Sequence, residues 1–198
     1  MRMGLVLALA IANLALSACS ETEPSIADTK KVVMESETTA PLAAAPVVRV
    51  ELDKVIGFND VEYCVPGAEF EKLLNGLLPT GPLGELIEPY QPVFPADYAG
   101  AFAKPDVTKD GYTSNANVAV LGSWQKLPVS NLAVWQTQES DYRGFTISFD
   151  APFEEVLQTL NNLGFKLPAS GKREAGEELV SYIRLESKAG KTTLTCSS

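Results

Sequence analysis

Apolar residues recur at helical spacing in two stretches of the chain. The first stretch has them at positions i, i+3, i+4 and i+7, namely Phe70, Leu73, Leu74 and Leu77. The second begins after Pro152, ends at Gly164 and contains Phe153, Val156, Leu157, Leu160 and Leu163. Proline is favoured in the first turn of a helix, and glycine is favoured just after the last turn. The pattern therefore predicts two amphipathic helices.

Alternation of apolar and polar residues indicates strands in most of the remaining chain. The predicted strands are 47–55, 61–65, 117–121, 132–137, 143–150, 165–167, 179–186 and 191–196, and the predicted turns and loops include 57–60 and 169–178. The last two strands flank Ala189-Gly190, which is typical of a hairpin turn. Strands joined by short turns pair antiparallel, so the predicted fold class is α+β, with a mostly antiparallel sheet and two amphipathic helices.

The two helical stretches share a local pattern. Each begins with Phe-Glu, at Phe70 and at Phe153, and the following apolar positions repeat at an offset of 83 residues. A strand is predicted before each helix and further strands after it. This order indicates a duplicated β-α-β-β unit. The alternative is coincidence, because any amphipathic helix that starts with Phe-Glu gives the same pattern.

The segment from Pro79 to Asn117 is rich in proline and glycine, which interrupt regular elements. Residues 79–105 are predicted to form an irregular excursion with one short helix at 83–87. The segment also contains four aromatic residues: Phe94, Tyr98, Phe102 and Tyr112. Loops that a scaffold fixes at both ends often contain the residues that bind a partner, so these four are candidate binding residues. The alternative is that they cover the core.

The first residues have the pattern of an export signal. Arg2 precedes an apolar run at 5–16 that is interrupted by Asn13 alone, and small residues follow. A charged start, a short apolar run and a small-residue end are typical of a secretory signal peptide. The run is shorter than the ~20 apolar residues of a membrane-spanning helix.

The end of this signal, Leu16-Ser17-Ala18-Cys19, resembles the lipobox of bacterial lipoproteins. The resemblance implies cleavage before Cys19, a thioether between Cys19 and diacylglycerol, and N-acylation of the new terminus. In that class an Asp after the cysteine retains the protein at the inner membrane. Ser20 stands there instead, which implies the outer membrane, facing the periplasm. The alternative is an ordinary secretory signal in which Cys19 is incidental.

Composition divides the chain into three parts. Residues 1–18 are predicted to be the signal peptide. Residues 19–46 are rich in Ala, Thr, Glu and Pro and are predicted to be a flexible tether that begins at the lipidated cysteine. Residues 47–198 are predicted to form a single α+β domain. The alternative for the tether is a first helix around 29–34 that packs on the domain.

Two cysteines remain after Cys19, namely Cys64 and Cys196. Both lie in predicted strands of an exported chain, where the compartment is oxidising. A pair of cysteines in this setting is typical of a disulfide. The alternative is two separate buried thiols.

Charge and composition exclude several function classes. The chain has 198 residues, 16 Lys and Arg against 25 Asp and Glu, and a formal net charge of −9. Histidine is absent, which excludes Ser-His-Asp catalysis and histidine-ligated metals. An acidic chain without a basic stripe is also a poor nucleic-acid binder. No cofactor and no metal are expected.

The remaining motifs give weak signals. Ser123-Trp-Gln-Lys126 matches the Ser-x-x-Lys element of penicillin-interacting enzymes, but its companion elements are missing. Asp106 and Asp110-Gly111 lack the spacing of a calcium loop, and an Asp-Gly turn explains them better. The carboxylate pairs Glu139 with Asp141 and Glu154 with Glu155 are adjacent in sequence. The second pair is explained by the dipole of its helix.

Three further aromatic residues, Trp124, Trp135 and Tyr142, lie near predicted strands. If their side chains are exposed, these residues would suit recognition of a partner. The alternative is that the side chains are buried between the sheet and a helix. Together the observations predict a lipid-anchored envelope protein that acts as a non-catalytic binding module of the accessory, inhibitor or immunity type. A basic envelope protein is the expected partner. The alternatives are a cell-wall glycan hydrolase with paired carboxylates and a structural lipoprotein of envelope assembly.

Overall fold

The computed structural model describes residues 49–88, 90–138, 142–176 and 180–198. The predicted signal peptide at 1–18, Cys19 and the predicted tether at 19–46 lie outside the described residues. Among the described residues no helix is long and apolar enough to cross a membrane.

The described chain contains ten strands, two α-helices and one 3-10 helix. The elements in chain order are β1 Val50–Glu51, β2 Phe58–Asp60, β3 Val65–Pro66, α1 Ala68–Leu77, the 3-10 helix Ala96–Ala101, β4 Asp106–Asp110, β5 Thr113–Trp124, β6 Leu127–Thr137, β7 Arg143–Phe149, α2 Phe153–Asn162, β8 Lys172–Ala175, β9 Ser181–Lys188 and β10 Lys191–Ser197. Both predicted α-helices are thus present.

Eight strands form one sheet in the order β1-β5-β6-β7-β10-β9-β8, and β4 also pairs with β5. The short β1 pairs with β5 in parallel, and the other pairs of this sheet are antiparallel. Strands β2 and β3 form a separate antiparallel hairpin. The fold is therefore mixed α/β with a large, mostly antiparallel sheet and few helices, as the sequence predicts at this level.

The core lies between one face of the sheet and the two helices with the β2–β3 hairpin. Phe58 of the hairpin is its aromatic centre, with ring centroids 5.7 Å from Phe70 of α1 and 5.1 Å from Phe165 after α2. On the sheet, Phe145 of β7 completes the cluster at 5.0 Å from Phe70. Trp124 is buried on the same face, and its indole N–H donates to the carbonyl of Ile56 (2.7 Å).

A disulfide joins Cys64 to Cys196, which confirms the predicted pairing. Cys64 lies in the turn before β3, and Cys196 lies in β10 near the middle of the sheet. Both residues are buried. The bond ties the small hairpin to the main sheet across 132 residues of sequence.

The β2–β3 hairpin differs from the strand that was predicted at 61–65. Residues 61–65 were expected to be extended and 57–60 to turn, whereas the chain is extended at Phe58–Asp60 and turns at 61–64. The carboxylate of Asp60 accepts from the backbone N–H groups of Glu62 (2.8 Å) and Tyr63 (3.2 Å). An aspartate that bonds its own following backbone favours a turn over a strand.

The predicted strand at 47–55 is also shorter than expected. Only Val50–Glu51 pairs with β5, and the chain then turns, because the N–H groups of Val55 and Ile56 both donate to the carbonyl of Leu52 (2.9 and 2.8 Å). All three of these side chains are buried. Their apolar spacing therefore reflects a tight turn that packs on the core and not an alternating strand.

Three other predictions fail for local reasons. Residues 83–87 form no helix, because Thr80 pairs with Leu86 across a small loop. Residues 165–167 form no strand, since the side-chain amide of Asn161 binds both backbone groups of Leu167. The predicted loop at 169–178 contains β8, whose polar side chains suit a sheet edge.

Candidate functional site

The structure separates the four aromatic residues of the predicted binding segment. Phe94 and Phe102 stack with centroids 4.9 Å apart, and Phe102 is only 9% exposed. Tyr98 is partly buried and packs against the core beside them. Tyr112 lies apart from these three in the β4–β5 turn and is 68% exposed. Of the four, Tyr112 is therefore the residue best placed to contact a partner.

The rest of this segment is fastened to the scaffold. The Tyr90 hydroxyl donates to the Leu77 carbonyl at the end of α1, and burial raises the pKa of Tyr90. Phe102 pairs with Val120, and the Ala103 N–H donates to the Ala119 carbonyl (3.0 Å), so this segment covers part of the β5 edge. The segment thus acts as a cover on the core and on the sheet edge over much of its length.

The face of the sheet opposite the core is the largest candidate surface. Both α-helices pack on the core-facing side, and the outward side chains of β5, β6, β7 and β10 are half-buried or exposed. Strand register places these side chains in neighbouring rows. We call the following set the polar strip: Asn115, Asn117, Asn131, Trp135, Thr146, Ser148, Thr193 and Thr195.

Hydrogen bonds organise part of the polar strip. Asn131 Nδ2 donates to Asn117 Oδ1 (2.7 Å), and the Ser148 and Thr193 hydroxyl oxygens lie 3.1 Å apart. The central pair, Thr146 and Thr195, is directly opposed across β7 and β10. Within the described part of the chain, the hydroxyls of this pair have no hydrogen-bond partner. They are free to donate to and accept from a bound molecule.

Trp135 is the one large apolar side chain of the polar strip. It lies opposite Gly144 of β7 and occupies the space that a side chain there would fill. Beside it, the exposed Tyr142 donates through its hydroxyl to the Ser197 Oγ (3.2 Å). Of the three aromatic residues left open by the sequence, Trp124 is therefore buried, whereas Trp135 and Tyr142 lie at the opposite face or its rim.

Replacing Gly144 with alanine is expected to lower the free energy of unfolding by roughly 1–3 kcal/mol, the usual cost of overpacking. A Cβ at Gly144 would overlap Trp135 Cζ2 and lie 2.7 Å from the Cys196 carbonyl oxygen. Urea unfolding followed by circular dichroism measures the change. The matched control is Gly100→Ala, where a Cβ meets nothing within 4 Å. Equal stability of the two variants would contradict the packing of Trp135 on Gly144.

A cleft of about 270 Å³ lies beside the disulfide at one end of the sheet. Its polar wall contains Arg143 of β7, whose Nη1 donates to Glu71 Oε1 of α1 (2.8 Å). Its apolar wall includes the disulfide and Phe145. The volume is slightly below the ~300–1,000 Å³ of typical ligand pockets. Arg143 and Glu71 therefore serve here to join α1 to the sheet.

The other sequence motifs form no reaction centre where they are described. Ser123 lies next to the last residue of β5, whereas Gln125 and Lys126 form the β5–β6 turn with φ of 50° and 67°. Glu154 and Glu155 lie in the first turn of α2, and Glu139 and Asp141 lie outside the described residues. Among the residues with described positions, no group of three or more His, Cys, Asp or Glu could hold a metal ion.

No family model, no curated protein and no solved structure matches the chain.

The polar strip was not predicted from the sequence, which pointed to Trp135 alone among its members. Six members lie in predicted strands, whereas Asn115 and Asn131 lie just outside them. Alternating polar residues on a strand are usually just solvent-facing. The available signal was their chemistry, because the outward positions of β5, β6, β7 and β10 carry Asn, Thr and Ser in place of Lys and Glu. Which of them are neighbours depends on the strand order, which the sequence pattern does not contain.

Proposed function

We propose that the protein is a lipid-anchored, non-catalytic binding module of the bacterial cell envelope, and that it binds its partner through the polar strip. The observation that carries this proposal is the one-sided sheet. Helices pack on one face, while the other presents uncharged polar side chains around Trp135. A broad open face with a central aromatic residue is suited to contact with a large partner.

The sequence supports the proposed placement in the envelope. The lipobox resemblance at Cys19 supports an outer-membrane anchor, and the composition of residues 19–46 supports a tether between that anchor and the domain. After loss of Arg2 the chain has 15 basic against 25 acidic residues, a net charge of −10. Anionic headgroups repel such a chain, so the lipid would supply its membrane affinity.

The carboxylates favour binding over glycan hydrolysis. Glycosidases need two carboxyl groups that flank the substrate, about 5–10 Å apart. Glu154 and Glu155 instead lie exposed at the start of α2, where negative charge complements the helix dipole. A structural role in envelope assembly would use the same open face and would differ in having a permanent partner.

A basic protein is the second candidate partner, and it is favoured by the net charge of −9 of the chain. On the β4 edge the carboxylates of Asp106 and Asp110 are exposed on either side of Lys109, and the exposed Tyr112 lies two residues after Asp110 in the turn. An exposed aromatic residue near a carboxylate can contact a basic segment through its ring and through charge together. Binding at this edge would weaken as salt concentration rises.

We further propose that the fold derives from a duplicated β-α-β-β unit. Each α-helix is followed by an antiparallel three-stranded meander, β4–β6 after α1 and β8–β10 after α2, although the second meander is closed by pairing with β7. The helix faces correspond only in part, since α1 buries four residues deeply and α2 buries Val156 and Leu160. Superposition of the two halves with matching strand order would support the duplication, and a mismatch would refute it.

Thr195→Lys is expected to abolish capture of the partner, because it puts a charge in the middle of the polar strip. The test uses detergent-solubilised full-length protein on beads, incubated separately with solubilised envelope proteins and with the insoluble cell-wall glycan. Gln158→Lys is the matched control, as Gln158 is exposed on α2, the helix side of the sheet. We expect one fraction to be retained by the wild type and by Gln158→Lys, with at least tenfold less by Thr195→Lys.

If both variants retain the fraction equally, the polar strip is not the binding surface. If Tyr112→Ala alone loses it, the partner binds at the β4 edge.

A further inference from the structure

We propose that the occupant of the polar strip is an uncharged glycan chain. This inference rests on the proposed function and narrows it, because it names the chemical class of the partner at the same surface.

The polar strip contains no charged side chain. Its eight members and the small residues among them are all uncharged, although the chain has a net charge of −9. Charged outward residues border the strip, Asp106 opposite Asn117 on β4 and Arg184 and Glu186 opposite Thr195 and Thr193 on β9. Glu186 lies 3.3 Å from Lys172 and 3.6 Å from Arg184, so these three charges offset one another. The strip itself thus carries no charge for an ionic partner and suits an uncharged one.

The apolar content of the polar strip is too low for the core of a protein interface. Such cores are enriched in aromatic residues, Met and Arg, and depleted in Ser and Ala. Here Trp135 is accompanied by Ala119, Ala133 and Gly144 and by hydroxyl and amide side chains, with Leu121 as an exposed aliphatic residue at the margin of the strip. A partner protein would bury little aliphatic surface on it. A partner that is itself rich in hydroxyl groups does not need aliphatic contacts here, because it can form hydrogen bonds with these side chains.

Trp135 supplies an aromatic platform of the kind that a sugar ring needs. Gly144 has no side chain, so the indole rests against the sheet at that position. A pyranose ring has an apolar C–H face, which can pack on an aromatic ring, and a rim of hydroxyl groups. A tryptophan offers a large contact area and has few rotatable bonds, so ordering it costs little entropy. The indole of Trp135 can therefore contact the C–H face of a sugar, and the surrounding polar groups can form hydrogen bonds with its hydroxyl groups.

The hydroxyl and amide groups lie where the rim of a stacked sugar chain would reach them. Thr146 and Thr195 lie in the row next to Trp135 and Gly144 and have no partner among the described residues. The Asn117–Asn131 and Ser148–Thr193 pairs flank them and are already ordered by their mutual hydrogen bonds. Four strands at about 4.8 Å spacing make the strip about 15 Å wide, so several sugar units fit across it.

Tryptophan fluorescence provides a specific test. The chain contains two tryptophans, and Trp124 is buried on the opposite face of the sheet. A sugar that changes the emission therefore acts at Trp135. We would titrate the detergent-solubilised full-length protein with a hexamer of N-acetylglucosamine and with a hexamer of glucose, and confirm the affinity by calorimetry. At least one oligomer is expected to bind, with an affinity that is insensitive to salt.

Three variants assign the site. Trp135→Ala and Thr195→Lys are each expected to weaken binding at least tenfold, and Thr195→Lys leaves the contact between Trp135 and Gly144 intact. Gln158→Lys is the control, because Gln158 is exposed on α2, on the helix side of the sheet, and the affinity of this variant should stay within twofold of the wild type. Circular dichroism verifies that each variant is folded.

The outcomes separate this inference from the proposed function. If neither oligomer changes the emission or gives heat at millimolar concentration, the glycan inference is wrong. If beads retain an envelope protein and Thr195→Lys loses it, the binding surface is correct but its occupant is a protein. If oligomer binding survives both strip variants, the sugar binds elsewhere and the inference is again wrong.

Discussion

Replacing both Cys64 and Cys196 by alanine is expected to lower the thermal midpoint of unfolding by on the order of 10 °C. Loss of a native disulfide from a small secreted domain costs roughly 2–5 kcal/mol. For a domain of about 150 residues, each kcal/mol corresponds to about 2–4 °C. The loss of stability should fall in the upper part of the range of roughly 2–5 kcal/mol, because the bond spans 132 residues and the entropy that a disulfide removes from the unfolded chain grows with loop length.

The location of the disulfide gives a second reason for a large effect. The β2–β3 hairpin has only two short strands, and an isolated hairpin of this size is marginal in water. It places Phe58 in the aromatic core, in contact with Phe70 and Phe165. Without the bond to Cys196, the hairpin is held by its side-chain packing and by the contacts of Glu62 with Lys166 (2.8 Å) and with Arg173.

Calorimetry of the wild type, the two single variants and the double variant checks this prediction. The double variant should be no less stable than either single variant, since one removal already opens the bond. Thiol titration of the denatured, unreduced wild type should find neither Cys64 nor Cys196 free. Two free thiols, or a midpoint unchanged within 2 °C, would contradict a disulfide that stabilises the fold.

The helices were predictable because their signals are local. The apolar face of α1 lies within Phe70–Leu77 and the signals of α2 lie between Pro152 and Gly164, and helix periodicity needs no information from elsewhere. The short elements failed for the opposite reason. Residues 61–64 turn because of one aspartate side chain, and β8 is a strand because β9 lies beside it. Neither cause is visible in apolar alternation.

The candidate site was less predictable than the fold. Composition directed attention to the aromatic residues at 79–117, yet Phe94 and Phe102 are stacked within the cover of the core. The polar strip depends on pairing between residues far apart in sequence, such as Thr146 with Thr195. The role of Gly144 likewise exists only because the register places Trp135 opposite it. Such juxtapositions follow from topology and not from any local pattern.

Cys19→Ser is expected to abolish lipid labelling and to release the protein from the membrane fraction. The serine oxygen cannot form the thioether that the lipobox resemblance implies for Cys19, so the acyl chains are lost. Two or three chains anchor a protein stably, whereas an acidic chain without them has no affinity for anionic headgroups. The expected change is from nearly all to almost none of the protein in the membrane pellet.

Metabolic labelling with a radioactive fatty acid and fractionation of the envelope measure this change. The matched control removes the other two cysteines, and the Cys64→Ala, Cys196→Ala double variant should still be labelled because Cys19 is intact.

Ser20→Asp provides a second arm, since an acidic residue at that position should move the labelled protein from the outer to the inner membrane. Cys19→Ser protein that is still labelled and sediments with membranes would show that the lipobox assignment is wrong. An unlabelled wild type would show that residues 1–18 act as an ordinary secretory signal, and the binding domain would then act free in the periplasm.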